Sequence, residues 1–189
     1  MFKSNEMKIK SLAVFCGSQP GSNPLFKKHA KELGEYMGKN NISLIYGGGK
    51  KGLMGDVADA AMENGGKVTG IIPELLIGWE SQHMGITDLQ VVADMHSRKK
   101  IMYDLCDAAV ILPGGNGTLD EMFEMLTWNT LKIHNKKIII LNTSGFYDFL
   151  IKHIEHMQEC DFLYENWHER IFVADSPADI TAFLDGDRN

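Results

Sequence analysis

The amino-acid sequence predicts an α/β fold, with one doubly wound, mostly parallel sheet of about six or seven strands flanked by helices. Short apolar runs recur along the chain, and they are near-continuous rather than alternating, which is typical of strands buried on both faces. Amphipathic segments of helical period separate most of these runs. The 189 residues fit a single domain spanning 1–189, which at that size buries roughly 70% of its unfolded surface. Residues 1–8 and 186–189 are expected to be flexible.

The individual elements follow from these runs. Apolar runs predict strands at 11–16, 42–46, 67–72, 89–93, 108–112 and 137–141. Helical periodicity predicts helices at 25–38, 53–63, 95–106, 119–132, 146–159 and 177–184. The clearest helix is 25–38, where apolar side chains fall on one face and lysine and glutamate side chains on the other. In open sheets of this kind ligands bind beyond the carboxyl ends of the strands, so a site is expected there.

The composition excludes several classes of protein. The 19 Lys and Arg residues against 25 Asp and Glu give a net charge of -6, and no basic block could follow a phosphate backbone, so nucleic acid is not an expected partner. The charged N-terminus lacks the apolar core of a signal peptide, and no apolar stretch is long enough for a membrane span. The 3 cysteines lack metal-type spacing and suit reduced thiols. We therefore expect a cytoplasmic protein with no membrane partner.

Glycine-rich or polar segments follow four of the predicted strands: CGSQPGS, GGGKKGLMG, IIPE and PGGNGTLDE. In the last of these, Gly114, Gly115 and Gly117 let the backbone approach an anion, and Thr118 opens a helix whose N–H groups and dipole favour phosphate. We interpret this segment as a phosphate cradle. The alternative is a tight turn without a ligand, in which Glu121 closes a capping box on Thr118.

Arg98 indicates a function only together with the motifs around it, because a lone arginine at the start of a helix is ordinarily a solvated surface residue. Together, VVADMHSRKKIM and ILPGGNGTLDEMFEMLTW resemble the paired signatures of the LOG family, the cytokinin riboside 5′-monophosphate phosphoribohydrolases, often mislabelled lysine decarboxylases. CGSQPGS, YGGGKKGLMG, LKIHNKKIIILN and GFYDFL extend the resemblance over nearly all of 10–175. The family pattern falls on 113–118 with Glu121, and on Arg98 with Lys99. Asn116 and Asp120 replace an aromatic residue and a glutamate that are common in the family.

The resemblance implies a Rossmann-like fold and hydrolysis of the N-glycosidic bond of a purine nucleoside 5′-monophosphate to free base and ribose 5-phosphate. The implied substrate is AMP or a cytokinin riboside 5′-monophosphate. Arg98 and Glu121 are the implied catalytic pair. The implied substrate-binding residues are Gly114, Gly115, Gly117, Thr118, Lys99, Ser18, Gly48, Gly49 and Glu74. The resemblance also implies a homodimer, with 77–85 and the helices near 95 and 120 as contact surfaces, and it implies no metal and no organic cofactor.

The chemistry explains why a carboxylate is needed. Breaking the bond between ribose and base places positive charge on the ribose, which a carboxylate beneath the ring stabilises. Glu121 can do this, or it can hold the ribose hydroxyls or orient water. Arg98 can fix the base or the leaving-group side. The sequence leaves these roles open.

Other functions also fit parts of the sequence. The run GGGKKG at 47–52, with Glu74 about twenty residues downstream, satisfies the fingerprint of an NAD-dependent oxidoreductase. A non-catalytic carrier of a nucleotide or pterin cofactor is a second alternative, although such a carrier would not need Glu121. His153 and His156 have metal-type spacing, but no further ligand set accompanies them, so no metal is expected.

Overall fold

A computed structural model describes residues 9–186, apart from the side chains of Trp79 and Glu80. Within this range the strands are β1 (Ser11–Phe15), β2 (Ser43–Tyr46), β3 (Val68–Pro73), β4 (Asp88–Val92), β5 (Ala108–Ile111), β6 (Ile138–Leu141) and β7 (Ile171–Ala174). The helices are α1 (Pro24–Lys39), α2 (Gly52–Glu63), α3 (Ile77–Glu80), α4 (Met95–Leu105), α5 (Asn116–Thr130), α6 (Asp148–Glu159) and α7 (Pro177–Gly186). Short 3₁₀ turns lie at Glu74–Leu76, Thr143–Gly145 and Trp167–Glu169.

The strands form one sheet in the order β4-β3-β2-β1-β5-β6-β7, and every strand pair in it is parallel. The chain winds outward from β1 to β4, then returns to β5 beside β1 and winds the other way. A doubly wound sheet has its switch point between β1 and β5, where the following loops diverge and leave a crevice. The prediction of a doubly wound, parallel α/β fold is confirmed.

Two apolar layers cover the two faces of the sheet. Helices α1, α2 and α7 pack on one face against alternate residues of the strands, such as Leu12 and Val14. Helices α4, α5 and α6 pack on the other face against the intervening residues, such as Ala13 and Phe15. Each fully buried large apolar side chain contributes about 1.5–3 kcal/mol. Burial on both faces explains why the strands read as continuous apolar runs.

Three local features differ from the elements expected from sequence patterns. Strand β7 falls on none of the six apolar runs; it is a short edge strand whose Phe172 and Val173 are only partly buried. Helix α5 begins at Asn116, so Thr118 lies inside the helix and does not open it. Gly186, expected to be flexible, is the last residue of α7, whereas 1–8 and 187–189 lie outside the described residues.

None of the helices within residues 9–186 has both the length and the apolar character needed to cross a bilayer.

Candidate active site

A cavity of about 380 Å³ opens at the switch point between β1 and β5. Much of its lining comes from the loops that follow the strands at the carboxyl side of the sheet and from the first turns of α4 and α5. These residues are Gly17 and Ser18 after β1, Gly47 after β2, Leu75 and Leu76 after β3, Met95 and Arg98 of α4, and 115–118 with Glu121 at the start of α5. The crevice therefore brings together loops that are far apart in the sequence. It is where a doubly wound sheet is expected to bind its ligand.

The N-terminus of α5 forms one side of this cavity. Gly115 is the N-cap residue, and no side chain caps the first turn. The capping-box alternative is wrong, because a capping box would require Thr118 at that position. The first N–H groups of any helix lack intrahelical acceptors and carry partial positive charge, so this end of α5 is suited to an anion.

The three glycines before and at the start of α5 differ in the space that surrounds them. A Cβ at Gly114 would lie 2.2 Å from Thr118 Oγ1, so only glycine fits there. A Cβ at Gly115 or Gly117 would meet no described atom within 4 Å. The protein's own packing therefore requires Gly114, whereas Gly115 and Gly117 leave open space on the cavity side.

Glu121 and Arg98 both line the cavity and are both buried, with exposed fractions of 8% and 5%. Glu121 lies three residues beyond Thr118 on the same helix, which is about 4.5 Å along the helix axis. Arg98 Nη2 donates a hydrogen bond to the carbonyl oxygen of Gly47 at 3.2 Å. The surface-residue alternative for Arg98 is wrong. The structure brings the predicted catalytic pair into one cavity.

Close packing holds the guanidinium of Arg98 in place. A Cβ added to Gly47 would lie 1.8 Å from Arg98 Nη2, so the guanidinium occupies the space that a side chain at Gly47 would take. Asp94 caps α4 by accepting from the Ser97 N–H at 2.8 Å, and this hydrogen bond is the main cause of the lowered pKa of Asp94. The cap fixes the first turn of α4, from which Arg98 extends.

Lys99, the neighbour of Arg98, has different contacts. Its Nζ lies 3.1 Å from Asp120 Oδ2 and 2.9 Å from Glu124 Oε2, and Lys99 does not line the cavity. Burial opposes the charge of the ammonium, but hydrogen bonds and ion pairs with Glu124 and Asp120 outweigh burial and raise the pKa of Lys99. The Tyr103 hydroxyl donates to Glu124 Oε2 at 2.8 Å. The ammonium of Lys99 thus joins α4 to α5, and its predicted contact with substrate stays a prediction.

The remaining predicted residues are divided between the cavity and its surroundings. Ser18 lines the cavity, whereas Gly48, Gly49 and Glu74 do not. Gly48 adopts a positive φ of 76° and is buried against β3, and Gly49 pairs with Gln82. Glu74 is exposed on the 3₁₀ turn after β3. Binding roles for these three residues stay predictions.

Sequence patterns missed Gly47, Leu75 and Leu76 as residues of the cavity. Gly47 stands at the start of the glycine-rich run GGGKKG, which was an available signal. Leu75 and Leu76 follow β3 outside any regular period, and Leu75 remains 79% exposed. Apolar residues placed on a loop after a parallel strand are the signal that could have found them.

The loop 47–52 does not resemble a dinucleotide cradle in its packing. The N–H of Leu53, in the first turn of α2, donates to the carbonyl oxygen of Gly17 at 3.1 Å. A Cβ at Gly52 would lie 2.4 Å from the Ser18 carbonyl carbon. Because the backbone of the β1 loop covers this helix start, a pyrophosphate has no access of the kind that the NAD fingerprint requires.

Among the described residues, no group of three or more His, Cys, Asp and Glu side chains is placed to hold a metal ion.

Comparison with known proteins identifies the family. A family model described as "Possible lysine decarboxylase" matches residues 54–184. The cytokinin riboside 5′-monophosphate phosphoribohydrolase of Rhodococcoides fascians is 42% identical over 165 residues, which cover 87% of this chain and 83% of that protein. The chain belongs to the LOG family. The cytokinin riboside 5′-monophosphate phosphoribohydrolase LOG1 of Arabidopsis thaliana is 39% identical over 180 residues, which cover 95% of this chain and 84% of that protein. The resemblance inferred from the motifs is confirmed.

Solved structures extend the likeness of this LOG-family chain in fold only. The molybdenum cofactor binding protein of Rippkaea orientalis matches with a TM-score of 0.72 at 20% identity, over 97% of this chain and 99% of that chain. The Moco carrier protein of Chlamydomonas reinhardtii matches with a TM-score of 0.70 at 19% identity, over 94% of this chain and 96% of that chain. The fold of this chain is therefore also found in these cofactor-binding proteins, and the fold by itself does not decide the function.

Proposed function

We propose that this LOG-family chain is an N-glycosidic hydrolase that cleaves a purine nucleoside 5′-monophosphate into free base and ribose 5-phosphate. One observation carries the proposal: Glu121 and Arg98 are buried in the same cavity, beside an uncapped helix N-terminus. A phosphate, a developing positive charge and a leaving base each require a different group. The cavity offers a suitable group for each of the three.

The 5′-phosphate is assigned to the N-terminus of α5, where 115–118 line the cavity. The ribose then lies over Glu121, one turn further along the same helix. The base extends toward Arg98 and the apolar wall of Leu75, Leu76 and Met95. The phosphate contacts hold the nucleotide in register, so that the bond to be broken lies between the carboxylate and the guanidinium.

In the proposed reaction a water oxygen bonds to the ribose C1′ while the bond from C1′ to the base nitrogen breaks. The electron pair of the broken bond leaves with the base, which takes up a proton, and the attacking water loses one. The Glu121 carboxylate stabilises the positive charge on the ribose. Arg98 stabilises the negative charge that develops on the leaving base. The reaction is balanced with water as the only co-substrate.

The apolar wall favours a substituted adenine over plain AMP. Leu75 is largely exposed at the cavity, and an apolar group on the base would cover it. We therefore expect kcat/KM to be higher for isopentenyladenosine 5′-monophosphate than for AMP. Equal values for the two nucleotides would contradict this preference and leave the hydrolase proposal standing.

The deciding experiment compares two carboxylates on the same helix. Glu121→Gln is expected to lower base release by about 10³-fold, because the charge that stabilises the ribose is lost. Glu124→Gln is the matched control, since Glu124 lies outside the cavity and contacts Lys99 and Tyr103. Chromatography of free base and ribose 5-phosphate measures both variants. Nucleotide binding without base release by the unmodified protein would support the carrier alternative.

We further propose that the protein works in the cytoplasm as a homodimer. No disulfide joins any of the cysteines in the described part of the chain, and Cys160 is exposed, which favours a reducing compartment. Met84 lies in the predicted contact surface 77–85 and is 74% exposed, and a large exposed apolar side chain there favours burial against a second copy. Sedimentation equilibrium is expected to give twice the chain mass of 21.1 kDa. A mass equal to one chain would contradict the dimer.

A further inference from the structure

His83 is a buried histidine outside the cavity, with a defined pattern of hydrogen bonds. Its exposed fraction is 3%, and its Nδ1 accepts from the Gly85 N–H at 3.2 Å. Because Nδ1 accepts a hydrogen bond, the proton of the neutral ring resides on Nε2. Nε2 therefore donates to Asp59 Oδ1, which lies 2.9 Å away on α2.

The backbone around His83 is bound to the glycine-rich loop 47–52. The His83 N–H donates to the Gly48 carbonyl oxygen at 2.9 Å, and the Lys50 N–H donates to the Ser81 carbonyl oxygen at 2.8 Å. Gly49 and Gln82 form an antiparallel bridge between these two contacts. Helix α2 begins at the end of loop 47–52. The hydrogen bond from His83 to Asp59 therefore attaches segment 81–83 to α2 as well as to that loop.

The hydrogen bonds of His83 connect two parts of the lining of the active-site cavity. Gly48 is bound by His83, and the adjacent Gly47 accepts the hydrogen bond from Arg98 at 3.2 Å. On the other side, segment 81–83 follows α3 and the turn that carries Leu75 and Leu76, which line the cavity. A shift of segment 81–83 would therefore displace both the Gly47 carbonyl that binds the Arg98 guanidinium and the apolar wall of Leu75 and Leu76.

We propose that His83, held by Asp59, is a positioning residue for hydrolysis, acting through Gly48 and Gly47 on the guanidinium of Arg98. The inference rests on the proposed function. An ordinary core histidine would contribute to stability alone. The two roles differ in what they predict, because a positioning residue changes the catalytic constants of molecules that are fully folded.

A series of three substitutions identifies which bond of the imidazole matters. The amide nitrogen of glutamine occupies the place of Nε2, so His83→Gln keeps the donor to Asp59. Asparagine places its amide near Nδ1, so His83→Asn keeps a partner for Gly85 and loses the bond to Asp59. His83→Ala loses both bonds. In the folded protein, His83→Ala and His83→Asn are expected to lower kcat by about 10–100-fold, because small misplacements of catalytic groups have effects of this size. His83→Gln is expected to stay within about threefold.

Asp59 provides an independent test of the same bond. Its side chain is 51% exposed, so removing His83 leaves this carboxylate in water and not as a buried unpaired charge. Asp59→Ala is expected to reproduce the loss of kcat seen in His83→Ala, and the double variant to lose no more than either single variant. Additive losses would show that the two side chains act separately and would overturn the proposal.

His134→Ala is the control for loss of a histidine hydrogen bond away from the cavity. The partly buried His134 follows α5, and its Nδ1 contacts Asn129 Oδ1 at 2.8 Å, on the β6 side of the switch point and not on the β3–β4 side where His83 lies. This variant is expected to lose stability with an unchanged kcat. Thermal unfolding of every variant gives the folded fraction by which rates are corrected. The proposal is overturned if corrected kcat values of His83→Ala and wild type agree, or if glutamine fails to rescue.

A wild-type protein that releases no base would refute the proposed function, and the series would then be measured by calorimetric titration with AMP. Because Arg98 lines the cavity, the displaced guanidinium is expected to weaken AMP binding at least tenfold in His83→Ala and leave His83→Gln near the wild-type value. Equal dissociation constants across the series would overturn the positioning role as well.

Discussion

Arg98 and Lys99 are neighbours on α4 with the same charge and nearly the same burial, yet they face different parts of the molecule. Arg98 turns to the cavity, which it lines, and its Nη2 donates a hydrogen bond to the Gly47 carbonyl oxygen. Lys99 turns to α5, where Asp120 and Glu124 surround its ammonium. A helix places consecutive residues about 100° apart, which is enough to separate the two environments.

Burial of a charged side chain therefore does not by itself indicate a role in function. Lys99 is compensated by two carboxylates within the fold, so its charge contributes to the docking of α4 on α5. Arg98 lines the cavity at the switch point, so its charge lies where the proposed substrate binds. Variants at the two positions are therefore expected to have opposite profiles in activity and stability.

The largest expected effect is on activity at Arg98. Arg98→Met keeps a long side chain in the same space and removes the charge that faces the leaving base. We expect kcat/KM for base release to fall by about 10²–10³-fold. The midpoint of thermal unfolding is expected to change by only a few degrees. Retention of wild-type activity in this variant would remove Arg98 from the proposed catalytic pair.

A substitution at Gly47 moves the guanidinium without removing it. In Gly47→Ala the new Cβ would lie 1.8 Å from Arg98 Nη2, so the guanidinium must leave its present position. We expect kcat/KM to fall by about 10–100-fold, less than in Arg98→Met, because the charge stays nearby. Steady-state kinetics measure the loss. An equal fall in Gly34→Ala, where the new Cβ would lie 2.4 Å from the Val57 carbonyl oxygen outside the cavity, would show that close packing in general and not the guanidinium is responsible.

Lys99→Met is expected to change stability rather than catalysis. Removing the ammonium takes away the cation that Asp120 and Glu124 share, at an expected loss of about 1–3 kcal/mol in the free energy of unfolding. Urea unfolding measures this loss, and KM for the nucleotide is expected to stay within about twofold. A large rise in KM with unchanged stability would instead support the predicted contact between Lys99 and the substrate.

The smallest effect concerns the pH dependence of that stability. The pKa of Lys99 is raised above its ordinary value of 10.5, so the folded state retains the proton more strongly than the unfolded chain. Its contribution is therefore fully present below about pH 10.5 and is lost as pH rises through the folded-state pKa. The difference in unfolding free energy between wild type and Lys99→Met should shrink above that pH. A difference that grows with pH would contradict the assignment of the ion pairs.

Much of the fold could be read from the sequence, because parallel strands buried on both faces leave continuous apolar runs. The helix at 25–38 and the strand at 108–112 lie within a residue or two of α1 and β5. The apolar runs did not predict strand β7, because an edge strand buries less apolar surface than a central one. The start of α5 was misplaced because Gly115 caps it by backbone conformation without a side-chain signal.

The sequence motifs identified the family and predicted the phosphate loop and the pair of Arg98 and Glu121, since all of these depend on runs of neighbouring residues. Only the tertiary structure decided which buried charge faces the cavity, that Gly47 supports Arg98, and that Leu75 and Leu76 form a wall. It also placed His83 against a loop more than thirty residues earlier in the chain. These relations arise where parallel strands bring the ends of separate segments to one edge of the sheet, and no local pattern in the sequence records such distances.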